Sequence, residues 1–341
     1  MKRPNPLQLA LPGTVFAPAV VDPPAPKASP PPEGRRAGPA WSHSRRSTLE
    51  QCSRKYYYTY YGASARSAKG EPDKDELRLL KGLANRHERA GSLLHLGIGT
   101  YFRRAQRGER VDADGLVAWA RTIFLNDRAY SRAHPGGGVP PGTKYPPTLL
   151  REYHYAQPDA DALCDEADGR LAVALRAFAT DERYAEFRAA GSAPGALVEK
   201  RLTISGLPCA ASGQLDLAYA REGRVTIVDW KTGAGDGSGD DSLQLAVYAL
   251  WAVEHFGCRP ADLRVCKAHL TTGKVVEFRA DDGVLADARA RIAQDAERMV
   301  AVDRYGRDGV AAAFTPSPRP ALCALCAYQR VCPEGRKLLN A

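Results

Sequence analysis

The chain has 341 residues, 44% of them hydrophobic and 26% charged, enough to bury a substantial core in one large domain or two smaller ones. Lysine and arginine number 48 against 39 aspartates and glutamates, a net charge of +9 that favours a polyanionic partner, because each neutralised phosphate releases counterions. No run of about 18 apolar residues occurs, which excludes a helical membrane span.

Residues 1–40 hold 11 of the 25 prolines and almost no periodic apolar pattern, so a disordered or polyproline-like tail is expected there. Its Pro4, Pro6, Pro12 and Pro18 break any apolar stretch a secretory signal would need, which points to a cytoplasmic protein. In that compartment the eight cysteines read as ligands, core residues or redox groups rather than disulfides. Helical periodicity follows over about 47–61, 75–107, 112–131 and 158–190, interrupted by a Gly- and Pro-rich loop from Ala133 to Pro147.

The period changes after Ala196. Val198 with Arg201–Ile204, then Gln214–Ala220, then Val225–Trp230 read as three strands, the last two joined as a hairpin through Arg221-Glu222-Gly223. A helix is expected from Ser242 to Phe256, strands near 263–270 and 274–280, and a long helix over about 283–304. This succession implies an α/β fold with a mixed central sheet flanked by helices. Residues 336–341 form a short tail.

The chemistry concentrates on the hairpin. Asp216 lies on one strand and Asp229 at the end of its neighbour, where two carboxylates repel unless a cation stands between them. Hard oxygen ligands suit Mg²⁺ or Mn²⁺. Lys231, two residues after Asp229, projects from the same face and can orient water or stabilise negative charge developing on phosphorus. Read alone, these are equally three charges on exposed strand ends. On the following helix Gln244 and Tyr248 are i and i+4 and share a face, as a polar surface residue and a packed tyrosine also would. His95, after Gly91, sits in a strong helical pattern, where a core histidine is the ordinary alternative to a ligand.

Taken in order, these residues resemble the PD-(D/E)XK nucleases and their RecB-like branch. Asp216 matches the family's first acid and Asp229-Trp230-Lys231 its acid-x-Lys element, with Leu215 where proline is frequent. Glu199 matches the preceding strand acid, Gln244 and Tyr248 the Gln-x-x-x-Tyr motif, and Gly91 to His95 the Gly-x-x-x-His motif. The resemblance implies a restriction-endonuclease-like core over 41–335. It implies metal ligands His95, Asp216, Asp229 and the Trp230 carbonyl, and catalytic roles for Asp216, Asp229, Lys231 and Glu199. It also implies substrate contacts at Gln244 and Tyr248.

Cys323, Cys326 and Cys332 fall within ten residues, a spacing that can grip one metal centre but leaves a fourth ligand to find. Cys52, before the aromatic run Tyr56-Tyr57-Tyr58, resembles the opening segment of RecB/AddB-type and CRISPR-adaptation nucleases. There one such cysteine joins three C-terminal ones around a [4Fe–4S] cluster. By that resemblance 41–62 and 318–335 are the cluster-binding segments, the cluster stapling the C-terminal segment against the N-terminal helix of a core that also carries an added helical region. A zinc site on the same ligands, or unrelated thiols, remain open, and Cys164, Cys209, Cys258 and Cys266 read as ordinary buried cysteines. Arg45, Arg46, Arg54 and Lys55 among the tyrosines fit either a nucleic-acid strand path or an amphipathic helix packed beside the cluster.

The implied function is metal-dependent hydrolysis of DNA, an exonuclease of repair, recombination or phage-type processing. The alternatives are a non-catalytic DNA-binding iron–sulfur module and a CRISPR-adaptation nuclease. DNA is the expected partner, with a helicase or another repair or adaptation protein beside it, since no helicase motif is present in this chain.

Overall fold

The computed structural model describes residues 39–64, 72–138, 146–205, 207, 209–233 and 242–339. The expected tail over 1–40 lies almost wholly outside the described residues. So do the middle of the Ala133–Pro147 loop, most of the glycine-rich stretch after Gly233 and the last two residues of the C-terminal tail.

Three of the expected helices are interrupted where a side chain or the backbone provides a cap. Helix α1 (His43–Gln51) starts four residues earlier than its periodicity suggests because Ser42 Oγ accepts from the Arg45 amide at 3.2 Å. It stops at Cys52, which is extended (φ −165°, ψ 117°), before α2 (Ser53–Tyr57) resumes into a π turn over Tyr58–Gly62. The expected 75–107 helix is two. α3 (Lys74–Lys81) ends at Gly82, and α4 (Arg86–Ala105) opens with a reciprocal Asn85–Glu88 capping box. After α5 (Ala113–Ala133) and the single turn α6 (Arg151–His154), the expected 158–190 helix divides at Asp181 into α7 (Ala160–Thr180) and α8 (Ala185–Ser192). Asp181 accepts from the Arg183 amide at 2.9 Å and so favours a new start over continuation.

Five strands form one sheet in the order β1 (Leu197–Ile204), β2 (Ala211–Arg221), β3 (Arg224–Lys231), β4 (Leu263–His269), β5 (Lys274–Phe278). The β2–β3 hairpin turns through Glu222 and Gly223, both at positive φ (51° and 77°), as a two-residue turn matching the strand twist requires. Strands β3 and β4 are parallel, so a crossover must join them. It is α9 (Ser242–Phe256), whose Leu245–Ala252 are all buried. With β4–β5 antiparallel, the sheet is mixed and flanked by helices. The chain continues through α10 (Asp282–Arg307), α11 (Pro320–Ala324) and α12 (Pro333–Leu339). Among the described residues no helix is long and apolar enough to cross a membrane.

The described residues group into two compact units: Ala84–Leu202 with Gln214–Leu285, and Ala37–Leu83 with Thr203–Gly213 and Ala286–Ala341. In the first, Leu93, Phe102, Leu116, Phe124 and Leu175 from the helices and Leu217, Val228 and Trp230 from the strands form one buried cluster. Each such side chain contributes about 1.5–3 kcal/mol by leaving water, and Leu175→Ala should cost about 2–5 kcal/mol. In the second, Tyr56, Tyr57, Tyr58 and Tyr61 are buried, with Phe314 stacked or tilted against three of them. Their burial leaves those four rings unavailable to stack on bases and favours the packing alternative. Cys164 and Cys266 are buried as expected, whereas Cys209 and Cys258 are only half-buried.

Candidate active site

The hairpin register pairs Leu217 with Val228, which sets Asp216 and Asp229 one residue further along the two strands. Both carboxylates are nearly inaccessible, Asp216 at 5% and Asp229 at 1%. Asp216 Oδ2 accepts from the Trp230 amide at 2.7 Å, and Asp216 Oδ1 lies 3.1 Å from His95 Nδ1. Trp230 therefore meets the site through its backbone, while its ring is buried edge-on to Phe178, Tyr184 and Phe187. Lys231 Nζ stands 2.9 Å from Asp229 Oδ2, close in distance but off the direction of a hydrogen bond, and 3.4 Å from Gln244 Oε1.

Glu199 comes from β1 with φ at 49°, a left-handed conformation costing about 1–3 kcal/mol in a residue other than glycine. Its Oε2 accepts from Gln214 Nε2 at 2.5 Å and its Oε1 lies 3.8 Å from His95 Nδ1. Donor atoms of His95, Glu199 and Asp216 all lie within 4.8 Å of one another. Asp229 stands outside that trio, beside Lys231. These side chains line an open cleft of about 520 Å³ together with Arg103, Gln214, Gln244 and Tyr248.

Burial alone would lower the His95 pKa, but hydrogen bonding and attraction from Asp216 and Glu199 prevail and push it up to about 10. Asp229 is pushed up to about 6, first by burial and then by the Asp216 charge, with Lys231 opposing. Glu199 Oε1 and Asp229 Oδ2 are buried without a hydrogen-bond partner. An imidazole and three carboxylates, with oxygens left short of hydrogen bonds, are a donor set that fits a hard divalent cation.

Gln244 Nε2 donates to Tyr248 Oη at 2.6 Å, and Tyr248 Oη donates to the Gln214 carbonyl at 2.8 Å. Burial first, then the Asp229 and Asp216 charges, raise the Tyr248 pKa, so the phenol stays protonated. The i, i+4 pair thus fastens α9 to β2 beside the acids, and Lys231, Gln244, Tyr248 and Gln214 form one chain of contacts.

The sequence profile of the PD-(D/E)XK nuclease superfamily matches residues 40–333. The chain belongs to that superfamily. Among solved structures, this PD-(D/E)XK chain is similar to SSO0001, with 15% identity, 54% of this chain and 79% of that one covered, and a TM-score of 0.30. It is also similar to a candidate exonuclease from Eubacterium rectale, with 14% identity, 69% and 88% covered, and a TM-score of 0.31. Overlaps this loose carry no argument about the site. No curated protein matches the chain.

Three residues beside these acids and Lys231 escape a reading of the motifs. Gln214 holds Glu199. His269 Nδ1 donates to the Gly233 carbonyl at 3.0 Å and so fastens the turn just after Lys231. Arg103 follows His95 by eight residues on α4, a spacing that keeps both on one helical face and that could have found it. Gly91, by contrast, has open space where a Cβ would stand, so nothing steric demands glycine there.

In the second unit the expected cluster-binding segments meet. Arg319 Nη2 donates to the Gln51 carbonyl at 2.6 Å, Arg54 Nε to the Phe314 carbonyl at 2.9 Å, and the Tyr58 and Tyr328 rings lie 5.3 Å apart. Cys52, Cys323, Cys326 and Cys332 are all half-buried. Burial raises the Cys326 thiol pKa, and Cys52 and Cys332 are close enough to raise it further against the pull of Lys55.

Proposed function

We propose that this PD-(D/E)XK protein is a divalent-metal-dependent deoxyribonuclease of the RecB-like branch, acting as an exonuclease in DNA repair, recombination or phage-type processing. The observation that carries the proposal is the acid-lined cleft in which His95, Glu199, Asp216 and Asp229 face Lys231, with Glu199 Oε1 buried without a hydrogen-bond partner.

His95, Asp216 and Asp229, with Glu199 and the Trp230 carbonyl, would hold Mg²⁺ or Mn²⁺. When bound, the cation would polarise the phosphate and lower the pKa of water. The chain's own residues do the rest. Lys231 positions the attacking water and balances charge developing on the phosphate, and Gln244 fixes the reach of Lys231. Tyr248 holds α9 to the acid-bearing strand, so Gln244 and Tyr248 support the substrate site chiefly by placing its walls.

We further propose that Cys52, Cys323, Cys326 and Cys332 hold a [4Fe–4S] cluster. Burial and the nearby Cys52 and Cys332 hold the proton on Cys326, and coordination to the cluster's iron would displace it as the thiolate forms. Phosphodiester hydrolysis moves no electron, so the cluster's role is to tie the N-terminal helices to the C-terminal segment. The test of the nuclease reading is Lys231→Ala, which should lower cleavage about 10²–10³-fold with the fold intact. Undiminished cleavage by that variant would refute the assignment.

A further inference from the structure

One wall of the cleft carries a cation that the catalytic account does not use. Ser92, His95, Gly99 and Arg103 follow on α4 at steps of three and four residues and form one stripe of the helix. A Cβ at Gly99 would meet Glu199 Cγ at 3.0 Å and Arg103 Nη1 at 3.1 Å, so the absent side chain lets Glu199 and Arg103 approach across the same gap.

Despite that approach, Arg103 forms no ion pair among the described residues. Its one side-chain hydrogen bond runs from Nη2 to Thr100 Oγ1 of its own helix, at 3.3 Å. The other arginines of α4 behave differently: Arg86 pairs with Glu152 at 3.1 Å, Arg89 with Asp127 at 2.6 Å and Arg104 with Glu109 at 2.7 Å. Arg103 keeps its fork of donors for something else, and it lines the cleft.

The charges within the cleft follow one another in order. Lys231 touches Asp229, Asp216 touches His95, His95 approaches Glu199, and Glu199 neighbours Arg103. Once the acids are neutralised by a bound cation, a positive group remains on each flank. Resting on the nuclease reading of this site, we propose that Arg103 binds the backbone phosphate next to the scissile one. It would grip that phosphate's non-bridging oxygens and fix the register of the strand over Lys231. A planar guanidinium suits such a two-oxygen grip, and a contact to phosphate carries no base preference. Arg103 is thus a substrate-positioning residue for a nucleic-acid strand.

The test compares wild type, Arg103→Ala and Arg103→Lys in two assays. DNA affinity is measured by fluorescence anisotropy with Ca²⁺ replacing Mn²⁺, across a salt series, and steady-state cleavage is measured with Mn²⁺. For Arg103→Ala the expected result is a Kd and KM raised about tenfold, with the slope of log Kd on log salt shallower by about one phosphate contact. Arg103→Lys should recover the slope and part of the affinity, since it keeps the charge and loses the fork. Unchanged Kd and slope in Arg103→Ala would overturn the proposal, as would a loss equal at every salt concentration that lysine does not relieve. A wild type that binds DNA but cleaves none would remove the nuclease reading, while the Kd and slope comparison still decides Arg103.

Discussion

Replacing Asp229 by asparagine should stabilise the metal-free protein, although it removes a residue from the heart of the site. Asp229 is 1% exposed, and burial with the neighbouring Asp216 charge pushes its carboxyl up from 3.8 to about 6, even with Lys231 opposing. A raised carboxyl pKa opposes folding wherever the group must ionise. The cost is absent below the unfolded value near 3.8, grows as pH rises, and is complete above about 6. Two pH units of displacement correspond to about 3 kcal/mol at pH 8, falling to about half of that at pH 5. Asparagine keeps the shape and carries no charge. In EDTA at pH 8 Asp229→Asn should therefore melt higher than wild type, by about 5 °C for a chain of this size, and the gap should narrow on acidification. Mn²⁺ should reverse the order. Wild type gains about 2.7 kcal/mol at a hundredfold excess over Kd, and the variant, short of a ligand, gains little. Paired melting curves of identically purified proteins, with EDTA and with Mn²⁺, read both effects. A variant that melts at or below wild type in EDTA at pH 8 would refute the reasoning.

Three further outcomes follow. His95, pushed up to about 10, must lose its proton to serve as a ligand, so Mn²⁺ affinity should rise with pH between 7 and 9 by up to about tenfold per unit. Calorimetry in buffers of different ionisation enthalpy should show proton release, and a pH-independent affinity would count against His95 as a ligand. Without metal, the stability His95 contributes is complete below 6.5 and is lost as pH rises through about 10. Cys326→Ser should lose iron and the brown colour and melt several degrees lower; a colourless wild type, purified anaerobically and equally stable, would point instead to zinc or no metal.

Local pattern made much of the site legible. Asp216, Asp229 and Lys231 fall on two strands joined by a two-residue turn, and strand geometry carries them to one place. Gln244 and Tyr248 needed only the helical repeat, and α9 could be placed because its apolar run spans a parallel crossover. What was not legible depends on contacts distant in sequence. The left-handed Glu199 reaches α4 at Gly99, and its grouping with His95 and Asp216, without Asp229, needs side chains in place. The helix breaks at Cys52, Gly82–Asn85 and Asp181 were missed for a different reason: periodicity continues across them, and caps decide where hydrogen bonding restarts. Arg103 is not legible in the sequence because a helical arginine is ordinary, and only the partners of its neighbouring arginines set it apart.

The central claim is that the acids and lysine of this cleft hydrolyse DNA with a divalent cation. It is tested most directly with end-labelled single- and double-stranded DNA and Mn²⁺, comparing anaerobically purified wild type with Asp229→Asn, a variant expected to fold at least as well. Cleavage by wild type, abolished by EDTA and in the variant, is the predicted result, and the product ladder would give polarity and mode. Wild type that is folded and metal-loaded yet leaves both substrates intact, or a variant that cleaves as well as wild type, would contradict the account.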